Sequence, residues 1–249
     1  MRTEELEELA ARITAPMRTM DGEVLFEIVP PTLDLLARGK PASPEETAAA
    51  AGKTPEEVRA VLDQFPSAEW DDQGRVIGLG LTLRPTPHRF EVEGHTLFAW
   101  CALDTLMLPI ILGRPASIES PCWGTGELVR VEVTPTGIEA AEPPSAVVSI
   151  VVAQDLTNVR SVGCNNTHFF RSPEAASRWL EKHPEATILP VEDAFRLGRL
   201  IAEGLLDDGE RRGSHDELRR DPDTGGVGQS RAAGGRDHPA VARDTRGGG

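Results

Sequence analysis

Two helix caps of the same design stand eleven residues apart, and they constrain the first half of the chain more than any other feature. Ser43-Pro44-Glu45-Glu46 opens one helix and Thr54-Pro55-Glu56-Glu57 opens the next. Each has a hydroxyl to cap the first free N–H groups, a Pro at the first helical position and a Glu placed to reach back to the cap. Ala51-Gly52-Lys53 between them is room only for a turn, so the pair reads as helix-turn-helix. An N-terminal amphipathic helix and a helix from about Pro31 to Arg38 are expected to pack against it. Ala68-Glu69-Trp70, then Asp71-Asp72-Gln73-Gly74, then Arg75 to Leu83 reads as strand, turn, strand, which makes the unit winged-helix-like over residues 1–85.

A winged helix invites a nucleic-acid reading, and charge argues against it. The chain carries 40 acidic and 26 basic residues, a net charge of −14. The second helix, PEEVRAVLDQF, has three acids and one Arg. A recognition helix approaches phosphates with positive charge, so a structural role is expected and no nucleic-acid partner. No run reaches the roughly 20 apolar residues that span a bilayer. The first seven residues include three acids where a signal peptide needs an apolar stretch. No membrane association and a cytoplasmic location are expected.

From Phe90 the pattern turns to strands. Phe90-Glu91-Val92 and His95 to Ala99 flank a Glu93-Gly94 turn, and further strands are expected at Ala116–Glu119, Glu127–Val133, Ala146–Val152 and Val159–Val162. Two helices follow, one from the Ser172-Pro173 cap through Trp179 and one from about Val191 to Leu206. The fold class expected is α+β: the winged-helix-like unit, then a mixed-sheet catalytic domain with C-terminal helices over 86–206. Residues 207–249 hold ten Gly, nine acids and eight Arg, too little apolar surface to offset chain entropy, and are expected to be disordered.

Three cysteines, Cys101, Cys122 and Cys164, exclude a disulfide framework, and their spacings match no zinc pattern. In Leu97-Phe98-Ala99-Trp100-Cys101-Ala102-Leu103-Asp104 a strand ends at a thiol with a carboxylate three residues on. If a helical turn begins there, the two share a face. The alternative is a buried Cys with Asp104 capping a helix Thr105–Leu112. Cys164 stands in a turn-forming Gly163-Cys164-Asn165-Asn166, either an accessible thiol or an incidental small residue. Cys164 and His168 together are at most half a metal site. Cys122, in Ser120-Pro121-Cys122-Trp123-Gly124, reads as structural.

The stretches GLGLTL, FEVEGHTLFAWCALDTLMLPIILGR and VRSVGCNNTHFF resemble the organomercurial lyase (alkylmercury lyase) family, over roughly residues 20 to 206. The resemblance implies a lyase of mercury detoxification that cleaves carbon–mercury bonds. It implies a catalytic Cys–Asp–Cys triad at Cys101, Asp104 and Cys164, the same three residues holding product Hg(II), with a structural Cys122 and with Trp100 bordering the site. It further implies an organomercurial substrate and transfer of mercury to small cytosolic thiols or a mercuric reductase.

The chemistry suits these residues. Mercury(II) is soft, and thiolates outcompete oxygen and nitrogen donors for it. Two thiolates on one mercury weaken its bond to carbon, and the departing carbon needs a proton that Asp104 can supply. Neither a redox change nor a cofactor is required. A thiol with pKa near 8.5 is only about 3% ionised at pH 7, so a carboxylate that accepts a thiol proton and holds it for the carbon serves both steps. Two other readings remain: a thiol-based, metal-responsive winged-helix DNA-binding regulator, and a sequestration protein, which would have no use for the acid.

Overall fold

The computed structural model describes residues 1–15, 22–65, 67–153 and 159–217, with side chains left out at 22–26 and 205–217. Four helices come first: α1 (Thr3–Thr14), α2 (Gly22–Ala37), α3 (Pro44–Ala51) and α4 (Pro55–Leu62). Both capping boxes form. Ser43 Oγ accepts the Glu46 N–H at 3.1 Å and Thr54 Oγ1 accepts the Glu57 N–H at 3.2 Å, while each Glu returns the bond to its cap. Helix α2 starts well before the expected Pro31, with Pro30 and Pro31 inside it. A proline usually opens a helix, so the sequence pattern points to a start there.

The turn side of the helix-turn-helix is acidic in three dimensions as well. Val58, Val61 and Leu62 of α4 face the core, while Glu56, Glu57, Arg59 and Asp63 are exposed. The one Arg is already engaged. Its guanidinium donates to Gly74 O at 3.2 Å and lies 5.4 Å from the Trp70 ring centre. Binding to a duplex is therefore expected to stay no tighter than nonspecific affinity, roughly 10⁻⁴–10⁻⁶ M at physiological salt. A fluorescence-anisotropy titration that gave nanomolar binding at that salt would restore the regulator reading.

The wing does not end in a free edge. Strands β1 (Glu69–Trp70), β2 (Val76–Leu79) and β3 (Leu81–Thr82) lead into β4 (His88–Val92) and β5 (His95–Ala99), and β3 pairs with β5. The single strand expected from Arg75 to Leu83 is broken at Gly80, whose φ of +79° turns the chain between β2 and β3. With β6 (Ala116–Pro121), β7 (Leu128–Thr134) and β8 (Gly137–Glu142) the order is β1-β2-β3-β5-β4-β6-β7-β8. The sheet thus runs without interruption across residue 85. The alternating buried positions Phe90 and Val92, Ile118, and Val129, Val131 and Val133 present one apolar face.

That face is covered by α5 (Ala102–Leu112), which in turn meets α7 (Val191–Glu217). Helix α7 also packs on α1 and α2, so it ties the N-terminal unit to the rest. Leu106 and Leu108 of α5 are fully buried, each contributing roughly 2 kcal/mol of transfer free energy. A second sheet, β10-β9-β11, consists of β9 (Val147–Ile150), β10 (Phe169–Phe170) and β11 (Thr187–Pro190), with α6 (Pro173–Leu180) between β10 and β11 in the chain.

The α+β class is as expected, and the mixed sheet resolves into two sheets whose described pairings are antiparallel. Short turns permit that arrangement, whereas parallel neighbours need long crossovers. Val159–Val162 is not the expected strand. Val159–Gly163 is a π-helical turn, and the Val162 and Gly163 carbonyls, which a strand would offer to a neighbour, are taken locally by the Asn166 amide and the Thr167 hydroxyl. Helix α7 continues past the expected end at Leu206 to Glu217. The remainder of the stretch expected to be disordered, 218–249, lies outside the described residues. No helix among the described residues is long and apolar enough to cross a membrane.

Candidate active site

Strand β5 delivers the chain to the site, and the helix start that follows arranges it. Cys101 is the N-cap of α5, in extended conformation, and its Sγ accepts the Asp104 N–H at 3.3 Å. The thiol occupies the position that a Ser or Asp oxygen usually takes. Asp104 is therefore not the cap of a helix starting at Thr105. It is the third residue of a helix starting at Ala102, and its carboxyl shares the cap's side of the first turn.

Cys164 arrives from the other sheet. The π-helical turn Val159–Gly163 ends in a short 3₁₀ turn, Cys164–Asn166. Thr167 then closes the turn: its N–H donates to Cys164 O and its hydroxyl to Gly163 O, both at 3.0 Å. Thr167 O accepts the Ala102 N–H at 3.1 Å, one residue after Cys101. This bond brings together two segments far apart in the chain. The Cys164 Sγ lies 3.9 Å from Asp104 Oδ2, and ligand atoms of Cys101, Asp104 and Cys164 all lie within 4.8 Å of one another. Among the described residues it is the one such cluster of three potential metal ligands.

The cluster lines an apolar pocket of about 90 Å³, walled by Ile13 of α1, Leu103 and Met107 of α5, Ile150 of β9 and Ile201 of α7. Burial sets its protonation. The Cys101 thiol is pushed well above its ordinary range, mainly by loss of hydration and further by the neighbouring Cys164 and Asp104. Burial pushes Asp104 up to about 6, against the opposing hydrogen bonds of the cysteines and the charge of Arg160. A proton held near pH 6 on a carboxyl beside a reluctant thiol suits a group that takes and returns protons.

Behind the cluster is a set of residues that local spacing did not reveal. The Arg160 guanidinium lies 4.6 Å from the Trp100 ring centre and pairs with Glu69 of the wing at 2.5 Å. Glu69 is buried and also accepts the Thr82 hydroxyl at 2.5 Å. Gly78 leaves the space for it, since a Cβ there would collide with the Glu69 carboxylate. The only sequence signal was an acid in a wing strand, on the buried side.

Cys122 is apart from this. It is buried, its Sγ accepts the Arg171 N–H at 3.4 Å, and it joins no ligand cluster. Burial raises its pKa, but hydrogen bonds from Thr125, Arg171 and Gly124 outweigh that and lower the thiol overall. His168 is not drawn into the cluster either. Its ring stacks on Trp123 at 5.9 Å and meets Trp179 edge-on at 5.9 Å.

Two sulfurs and one oxygen converging in an apolar pocket form a donor set for a soft, thiophilic metal, so fold and site together define a thiol-based metal-handling protein. Sequence comparison gives the family. Residues 8–80 match the model described as the helix-turn-helix domain of alkylmercury lyase, and residues 81–203 match the MerB alkylmercury lyase model. The chain belongs to the alkylmercury lyase family. It is 55% identical over 184 residues to the alkylmercury lyase of Staphylococcus epidermidis, covering 74% of this chain and 85% of that one. It is 51% identical over 176 residues to that of Streptomyces lividans, covering 71% and 82%. A solved structure, the mercury-bound form of MerB2, is similar with a TM-score of 0.67 and 26% identity, over 82% of this chain and 100% of that chain.

Proposed function

We propose that the chain cleaves the carbon–mercury bond of alkyl- and arylmercury compounds by protonolysis. The observation that carries this is the convergence of Cys101, Asp104 and Cys164 within 4.8 Å. The substrate arrives as R–Hg on a small solution thiol. One protein thiol displaces that thiol from mercury, and its own proton leaves with it. The second thiol passes its proton to the Asp104 carboxylate and closes onto mercury. Asp104 then gives the proton to carbon as the carbon–mercury bond breaks, releasing R–H. Hg(II) stays on Cys101 and Cys164, with Asp104 as a third, weaker ligand.

Every atom is accounted for, with no change of oxidation state and no cofactor. The apolar walls exclude water, which would otherwise stabilise the carboxylate and weaken its hold on the proton destined for carbon. Release of Hg(II) is by exchange onto small cytosolic thiols or onto a mercuric reductase. Such an exchange needs a reducing compartment, and the cytoplasm, where free thiols persist, is the location that fits this reading.

Incubation of the purified chain with an arylmercury compound and excess thiol, with chromatographic assay of the arene, tests the reading. Continuous release of arene over many turnovers is the expected result. A stable protein–mercury adduct with no arene would identify a sequestration protein instead.

A further inference from the structure

Strand β9 reads Val147-Val148-Ser149-Ile150, and all four residues are buried. A serine with no exposure, in the centre of a three-stranded sheet and among branched apolar neighbours, costs free energy unless its hydroxyl is fully used. It is fully used, and both of its bonds go to one segment. The Ser149 hydroxyl donates to Asn166 O at 2.8 Å and accepts the His168 N–H at 2.9 Å. The Ser149 N–H adds a bond to His168 O at 3.0 Å.

Three bonds from one residue thus clamp the chain on both sides of Thr167. Thr167 is the residue that ties the two halves of the site. Its carbonyl receives the Ala102 N–H, and its own N–H and hydroxyl close the turn that carries Cys164. The path from Ser149 to each thiol is short and made of hydrogen bonds: Ser149 to Asn166 and His168, Thr167 to Cys164 on one side, and Thr167 to Ala102, beside Cys101, on the other. The next residue of the strand, Ile150, is itself a wall of the pocket.

We propose that Ser149 is a positioning residue, which holds the Cys164 turn at the separation from Cys101 and Asp104 at which both thiols can close on one mercury. It touches no substrate and acts through the backbone on either side of Thr167. The proposal rests on the lyase reading for its catalytic consequence, while its effect on two-thiol mercury binding stands independently.

Ser149→Ala leaves Asn166 O and His168 N–H without their partner and frees the turn to shift. A displacement on the order of 1 Å at a reacting group costs about 10²-fold. The expected result is a fall in kcat for arene release of that order, with KM little changed. Bound Hg²⁺ should also be stripped by a monothiol at concentrations that leave the unsubstituted protein loaded, because only one protein thiol then holds the metal well.

Ser120→Ala is the control. Ser120 is equally buried and its hydroxyl is bonded to His88 Nδ1 at 2.9 Å, a bond that joins neither the Asn166–His168 backbone nor the ligand cluster. It should lower the melting temperature without changing kcat or mercury retention. Ser149→Thr, which keeps the hydroxyl, should restore both.

The proposal is overturned if folded Ser149→Ala matches the unsubstituted protein in kcat and mercury retention. It is also overturned if Ser120→Ala loses both equally, since general loosening would then explain the effect. Should Ser149→Thr fail to fold, the comparison of the two alanine variants decides. If the unsubstituted protein releases no arene, the lyase reading fails, and the Hg²⁺ retention of the Ser149 variants still decides whether the clamp works.

Discussion

Cys101→Ser and Cys164→Ser are each expected to reduce arene release by about 10⁴-fold or more, the scale on which loss of one member of a nucleophilic constellation is felt. The reason is that a hydroxyl cannot replace a thiol on mercury. It is a hard donor, and its proton is far harder to remove than a thiol's. With one sulfur left, mercury is captured but never held by two thiolates, and the carbon–mercury bond is not weakened. The double variant should be little worse than either single one, because the two sulfurs act as a unit. Cys122→Ser should behave differently. Its sulfur accepts the Arg171 N–H and joins no ligand cluster. The expected cost is about 1 kcal/mol of stability, visible as a lower melting temperature, with turnover intact. Measuring arene release and thermal unfolding for all three variants separates these cases. Near-normal turnover in either of the first two would remove that cysteine from the reaction.

What could be read from sequence was what is encoded locally. Both helix caps formed as expected, since each is complete within four residues. Cys101 and Asp104 were recognised as a pair because they are three apart at a helix start. Of the two readings of that start, the shared face holds and the Asp104 cap does not: a thiol is an unusual cap, and a rule built on oxygen caps assigns the task to Asp104. The pairing of Cys164 with them followed from resemblance to a family, not from spacing. It depends on the bond between Ala102 N–H and Thr167 O, which no local pattern encodes.

The same holds for Arg160 and Glu69, whose partnership exists only once the wing is joined to the main sheet. Strand β8, Gly-Ile-Glu-Ala-Ala-Glu, carries no strand signal in the sequence because Gly, Ala and Glu are poor strand formers. It lies at the sheet edge, where pairing with β7 decides the conformation. Val159–Val162 failed in the opposite sense. Its valines favour a strand, but Asn166 and Thr167 take the Val162 and Gly163 carbonyls and fold the segment into the turn that presents Cys164.

Asp104→Asn separates mercury capture from bond cleavage. The amide keeps the size and planarity of the carboxyl, and the Asp104 N–H can still donate to the Cys101 sulfur, so α5 should start as before. What is lost is the group that accepts a thiol proton and returns it to carbon. The variant should bind an organomercurial, seen by mass spectrometry as a protein–mercury–carbon adduct. It should release arene about 10²–10⁴-fold more slowly in a single turnover, the usual cost of losing acid–base assistance. Asp104→Glu keeps the acid and should retain part of the rate, limited by its longer reach.

The pH profile adds a second signature. Burial holds Asp104 near pH 6. Below that the carboxyl is already protonated when substrate arrives and cannot take a proton from the second thiol. Above it the carboxylate is free to do so. The single-turnover rate of the unsubstituted protein should therefore fall as pH drops through about 6, and the Asn variant should lack that step. Arene release by the Asn variant at the full rate would show that the proton comes from a thiol or from water. Asp104 would then be an acid in the first turn of α5, favourable there only because it faces the positive end of the helix dipole.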